Sequence, residues 1–164
     1  MKFFVAVLLA LFSVALAEDF VVTRVFNSTD CTGKVFDMNQ VPKLPFVKCE
    51  HLGTCREIDY DGFKVSVQLN CSTSLIQPQT GYYTNAYYAN EACGADKLIE
   101  SNSMLVGQCI PNQRGSARVS CNSTFVVGAE YANSNCTGSP VAQTEEALHS
   151  CKSRNVQACP LSII

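Results

Sequence analysis

Phe26-Asn27-Ser28-Thr29-Asp30-Cys31-Thr32-Gly33 returns as Tyr88-Ala89-Asn90-Glu91-Ala92-Cys93-Gly94 and again as Tyr131-Ala132-Asn133-Ser134-Asn135-Cys136-Thr137-Gly138. Each copy carries an aromatic residue, an asparagine, a cysteine and a glycine in that order. Each ends a stretch rich in Val, Tyr and Phe: Val21 to Phe26, Tyr82 to Tyr88 and Phe125 to Tyr131. Such runs favour extended backbone, and Asn with Gly favours the tight turn that stops it. A second cysteine follows each copy (Cys49, Cys109, Cys151) and then a third (Cys71, Cys121, Cys159), with Cys55 left as the additional one. A pattern recurring at this period predicts three related units, over 18–78, 79–124 and 125–164.

The segments after each turn point the same way. Lys34 to Val41 alternates Phe36, Met38 and Gln40 against Val35, Asp37, Asn39 and Val41, and Lys97 to Ser101 is equally unlike a helix. Ser139 to Leu148 taken alone resembles an N-capped helix with Pro140 at its first position. Analogy with the other two units makes it a strand, with a short helix as the alternative. Asp61-Gly62 between Glu57–Tyr60 and Phe63–Leu69 supplies the positive φ angles of a two-residue hairpin turn. That turn sets Tyr60 opposite Phe63, Asp59 opposite Lys64 and Ile58 opposite Val65. One face then holds Tyr60, Ile58, Phe63, Val65, Val67 and Leu69. Asn112-Gln113-Arg114-Gly115 makes the corresponding bend in the second unit. The fold expected is all-β: three small antiparallel units, each of about three strands, stapled by disulfides and packed into one compact body. Units this small bury too little apolar surface to stand alone.

Residues 1–17 read as a signal peptide. Lys2 precedes an apolar run from Phe3 to Leu16, and Ala15-Leu16-Ala17 offers small residues before Glu18-Asp19, so cleavage is expected after Ala17. The apolar run is shorter than the roughly 20 residues of a membrane span, and the tail Ala158 to Ile164 is too short for a lipid-anchor signal. Removing Lys2 takes the net charge from −2 to −3, with no cluster of Lys or Arg, which argues against nucleic acid as a partner. Ten cysteines in an oxidising compartment predict five disulfides: Cys31, Cys49, Cys55, Cys71, Cys93, Cys109, Cys121, Cys136, Cys151 and Cys159. An odd number in a unit requires at least one bridge between units. Sequons at Asn27, Asn70, Asn122 and Asn135 are potential glycan sites, with Asn27 and Asn122 favoured because the other two immediately precede a cysteine.

Little in the sequence suggests a reaction centre. An even cysteine count leaves no free thiolate, and a serine nucleophile would need His51 or His149 as base without a Gly-x-Ser-x-Gly elbow. No Cys-x-x-Cys pair suggests zinc. Asp59-Tyr60-Asp61-Gly62 is only a fragment of a calcium loop. The carboxylates of Glu57, Asp59, Asp61, Glu145 and Glu146 could serve a glycosidase only as a pair across a cleft, and the hairpin gives Asp59 and Asp61 structural roles. We therefore expect no catalysis, no cofactor and no metal.

Binding residues are sought instead in Tyr82–Tyr88, where alternation places Tyr83, Asn85 and Tyr87 together on one face, a combination suited to sugar or protein contact. The sequence expectation is a secreted, N-glycosylated, cysteine-rich protein with a binding or structural role at the cell surface or in extracellular matrix. Its partner would be an extracellular protein or carbohydrate, and open sheet edges would allow self-assembly. The alternative is an inhibitor of secreted proteases or other hydrolases, presenting Arg114 or the loop from Lys43 to Lys48.

Overall fold

The computed structural model describes residues 20–60, 62–76, 80–94, 97–148 and 151–159. Residues 1–17, expected to be a signal peptide, with Asp61, the 77–79 connector and His149, lie outside them. Eleven strands follow one another: β1 (Phe20–Phe26), β2 (Val35–Pro42), β3 (Cys55–Tyr60), β4 (Phe63–Ser72), β5 (Tyr82–Tyr88), β6 (Leu98–Leu105), β7 (Cys109–Asn112), β8 (Gly115–Cys121), β9 (Phe125–Tyr131), β10 (Ala142–Ala147) and β11 (Asn155–Ala158). A 3₁₀ turn lies at Cys49–His51, between β2 and β3. All strand pairs are antiparallel and form a seven-stranded sheet, β11-β5-β6-β2-β1-β4-β3, and a four-stranded sheet, β10-β9-β8-β7.

The hairpins combine by one rule. In the first segment the β1–β2 and β3–β4 hairpins join through β1 and β4, giving the order β2-β1-β4-β3. The small sheet repeats this order with β9–β10 as its first hairpin and β7–β8 as its second. The β5–β6 hairpin receives β11 beside β5, the place β4 takes beside β1. The second and third segments have thus exchanged their second hairpins.

The disulfides follow the same exchange. Cys31–Cys55, Cys136–Cys109 and Cys93–Cys151 each tie the turn after a first strand to the start of a second hairpin. In each case the turn cysteine is left-handed, with φ of 57°, 52° and 49°. Cys55 pairs across its hairpin with Gln68 and Cys109 with Arg118, each three residues before the next cysteine, Cys71 or Cys121. The Lys152–Asn155 bridge continues that register opposite Cys151. Cys55 is therefore a member of the repeating set, and Cys49 is the additional cysteine, a correction to the sequence reading. Spacing misled because the loop after β2 inserts Cys49 ahead of the hairpin. Cys49 takes Cys71, whose two counterparts, Cys121 and Cys159, bond to each other. Three of the five bridges consequently cross between the second and third segments.

The core lies between the sheets in two clusters. Val25, Phe36 and Val65 of the large sheet meet Ile110 of the small one, with Tyr60, Val67, Met104 and Leu105 packed around them. Val126, Leu148 and Cys159 form the other cluster, with Tyr83, Val106, Val119 and Cys121. The opposite face of the large sheet is also buried, under Leu75 and Ile76. Gln40, 1% exposed, acts there like a strand edge: its amide donates to the Ile76 carbonyl (3.0 Å) and its oxygen accepts the Ile76 N–H (2.8 Å). A third hydrogen bond joins Gln40 to the Ser101 hydroxyl, so its polar atoms are buried with partners.

Of two local expectations, the strand in the third unit holds and the pairing of acid with base in the hairpin needs adjusting. Ala142–Ala147 is a strand paired along its whole length to β9, so cross-strand hydrogen bonding overrides its helix-like composition. The Asp61-Gly62 hairpin has the expected register, but Lys64 bonds Glu57 (2.7 Å) while Asp59 accepts the Gly62 N–H (2.6 Å). Asp59 thus fastens the turn, and the acid two residues back takes the lysine. The apolar face also runs out at the sheet edge, where Ile58 is exposed.

Gly115 supplies a sharp test of the exchanged junction. It follows the β7–β8 turn with φ +136°, and a Cβ there would fall 2.0 Å from the Tyr131 carbonyl oxygen. Gly115→Ala should cost on the order of 3 kcal/mol, a Tm fall of roughly 6–12 °C by calorimetry. An unchanged Tm would contradict this packing of β8 against β9.

Candidate functional site

Period-two alternation gives the large sheet a face on which amides line up across strands. The register places Thr23, Asn39, Asn102, Asn85 and Gln157 in one row over β1, β2, β6, β5 and β11. On one side runs the row Val25, Asp37, Met104 and Tyr83, which turns into the inter-sheet core. On the other side Glu100, Tyr87 and Asn155 lie next to one another.

Each amide of the central row donates to a neighbouring row or to the facing sheet. Asn39 Nδ2 bonds Glu100 Oε1 (3.0 Å), Asn102 Nδ2 bonds Asp37 Oδ1 (3.0 Å) and Asn85 Nδ2 bonds the Tyr87 hydroxyl (3.0 Å). Gln157 Nε2 donates to Glu146 Oε2, reaching from β11 to β10 of the small sheet. The carboxamide nitrogens are therefore occupied. The oxygens of Asn85, Asn155 and Gln157 are buried and lack a donor. A buried acceptor without a donor costs roughly 1–3 kcal/mol, so this face calls for groups that donate.

Beside it opens a cleft of about 490 Å³, floored by Tyr87, Asn155 and Gln157 and walled by Glu145, Glu146 and Ala147 of β10, with Lys152 and Ser153 at its rim. Tyr87 is 42% exposed and offers a ring face together with its hydroxyl. Glu145, Glu146 and nearby Glu100 outnumber Lys152, a balance that favours a neutral or cationic ligand over an anionic one.

The three residues singled out on this strand are thus divided by the structure. Tyr87 is in the cleft, and Asn85 is tied to it. Tyr83 packs in the second core cluster, where burial, with Glu146 and Tyr87 contributing, pushes its phenol up to about 12. Burial likewise raises the Asp37 carboxyl, against the hydrogen bond from Asn102. Arg114 is exposed at the β7–β8 turn, its N–H bonded to Asn112 Oδ1 (2.9 Å). Asn155, Gln157 and Asn102 were missed and Glu146 was weighed only as a catalytic carboxylate, because the pairing of β6 and β11 with β5 brings them together. The sequence signal for Asn155 and Gln157 is their alternation with Val156 and Ala158.

The remaining chemistry is dispersed. All ten cysteines are in disulfides. His51 sits exposed beside Glu50 (3.6 Å). No group of three His, Cys, Asp or Glu able to hold a metal occurs among the described residues, and none of their helices is long and apolar enough to cross a membrane. Asn27, Asn122 and Asn135 are exposed, whereas Asn70 is half-buried and its amide nitrogen donates to Gln68. No protein-family model, curated protein or solved structure matches the chain.

The packing of Tyr83 has a measurable signature. Its folded-state value near 12 lies above the ordinary 10, so the folded chain holds this proton more tightly than the unfolded chain. The resulting stabilisation is complete below pH 10 and is lost as pH rises from 10 to 12. Denaturation across this window should show Tyr83→Phe losing less stability than the parent.

Proposed function

We propose that the chain is a secreted, N-glycosylated, non-catalytic binding protein of the extracellular space, and that its cleft takes a carbohydrate. The observation carrying this reading is the amide row beside an exposed tyrosine, with three carboxamide oxygens that lack donors. A sugar brings hydroxyl donors on one face and aliphatic C–H groups on the other, matching the amide oxygens and the Tyr87 ring respectively. Turning the Asn85 or Gln157 carboxamide about its last torsion directs the oxygen towards such a hydroxyl. A neutral or amino sugar fits the surplus of carboxylates better than an acidic one. The secretory assignment is supported by the N-terminal apolar run and by five disulfides. Calorimetric titration with a panel of neutral and amino oligosaccharides should give saturable binding, weakened about tenfold by Tyr87→Ala and unchanged by Arg114→Ala. Absence of binding across the panel, or indifference to Tyr87→Ala, counts against the cleft.

A second reading, inhibition of secreted proteases, is favoured by the loop from Lys43 to Lys48. Phe46 is 79% exposed and Leu44 53% exposed on a turn closed by the Val47 N–H bonded to the Leu44 carbonyl (3.0 Å). Pro42, Pro45 and the Cys49–Cys71 bridge restrict this turn, reducing the entropy lost on docking. Assay against proteases preferring aromatic residues should then show inhibition that Phe46→Ala abolishes. A parent protein that inhibits none of them removes this reading.

A further inference from the structure

The seam between the sheets is open beneath one of the sequons. Asn27 directly follows β1, and its side chain lines a cavity of about 190 Å³. Phe36, Tyr60, Phe63 and Val65 of the large sheet form one wall of this cavity, and Ile110 and Pro111 of the small sheet the other. Phe36, Val65 and Ile110 belong to the first core cluster, so the cavity opens onto the apolar contact between the sheets. Tyr60 stands edge-on to Phe36 at 5.9 Å between ring centroids, presenting aromatic surface at its mouth. Gln108 supplies a polar side chain at the border, while the Lys64 ammonium is paired with Glu57 on the other face of the strand. Apolar surface left open at a structural seam is unfavourable, and covering it contributes in proportion to the area removed from water.

Asn27 is anchored in the turn beside this opening. Its N–H bonds the Lys34 carbonyl (3.3 Å), and its side-chain oxygen lies 3.2 Å from where a Cβ on Gly33 would be. The other exposed sequons are differently placed. The Asn122 oxygen accepts the N–H groups of Thr124 and Phe125 (both 2.7 Å), and the Asn135 oxygen accepts the Thr137 hydroxyl (2.7 Å). Those two side chains fasten their own turns.

We propose that a glycan attached to Asn27 seats its first N-acetylglucosamine in this cavity, where it acts as a structural plug between the two sheets. The inference rests on the secretory reading above. In the attachment step Asn27 Nδ2 bonds to the anomeric carbon of N-acetylglucosamine, displacing a lipid diphosphate from the donor and releasing one amide proton. The sugar's C–H face and acetamido methyl then cover Phe63, Tyr60 and Pro111, and a hydroxyl meets the Gln108 carboxamide. Only the first residue touches protein, and the rest of the glycan extends into solvent.

The test uses the full chain secreted from a eukaryotic host, with site occupancy mapped by mass spectrometry and Tm measured on three forms. Trimming the glycans to a single N-acetylglucosamine should leave Tm unchanged. Asn27→Gln should lower it by about 2–4 °C, whereas Thr124→Ala, which removes the Asn122 sequon and leaves the Asn122 oxygen its two N–H donors, should not. In a Phe63→Ala background, the additional Asn27→Gln change should produce little further loss. An occupied Asn27 whose removal leaves Tm unmoved overturns the proposal, as does a bare Asn27 on a chain glycosylated elsewhere. A secreted chain with no glycan on any sequon overturns the proposal together with the glycoprotein part of the functional reading. Retention inside the cell without glycans overturns the secretory reading on which both depend.

Discussion

The covalent exchange between the second and third segments is the constraint on which the rest of the molecule depends. Short hairpins with few fully buried side chains cannot form a stable sheet in isolation. Here each borrows its neighbour's second hairpin, and Cys93–Cys151, Cys109–Cys136 and Cys121–Cys159 fix the exchange. Closing these loops restricts the unfolded chain, each bridge contributing roughly 2–4 kcal/mol. Cys93–Cys151 and Cys109–Cys136, like Cys31–Cys55 of the first segment, begin at turns with the cysteine in a left-handed conformation, a cost that the surrounding hydrogen bonds must offset. Buried serines meet part of it: the Ser66 and Ser116 hydroxyls accept the N–H groups of Cys31 and Cys136 at 2.7 and 3.0 Å.

That exchange also creates the cleft. Apolar contact with the small sheet closes the inner face of the seven-stranded sheet along only part of the length of its strands. Where the two sheets meet, the face carries Val25, Met104 and Tyr83. Beyond that contact it carries Asn39, Asn102, Asn85 and Gln157, whose nitrogens are tied to acids and a phenol. Interlocking hydrogen bonds hold this face, and the three buried oxygens without donors give it a preference for groups that donate.

Much of the architecture was legible in the sequence. The three aromatic–Asn–Cys–Gly turns, the β-branched and aromatic runs before them and Asp61-Gly62 each specify a local conformation, and most strands lie where these signals place them. The strand at Ala142–Ala147 was legible only by analogy with its counterparts, since its own residues lean towards helix. The odd cysteine count in the second segment foretold bridging between segments without specifying a partner. The candidate site was legible only in part: alternation brought Asn85 and Tyr87 to one face, but it could not reveal that Tyr83 on that face enters the core.

What the sequence alone determined is what depends on neighbours along the chain: strand, turn, hairpin register and the all-β class. Local steric preference and period-two alternation suffice for these. Which hairpin pairs with which, which cysteine is the additional one, and the assembly of Gln157, Asn155, Asn85 and Glu146 around one cleft were decided by tertiary structure. Those pairings join residues distant in the chain through backbone hydrogen bonds that are chemically alike for every strand. Only the packing of the two sheets, with the cysteines that meet as a result, selects among them.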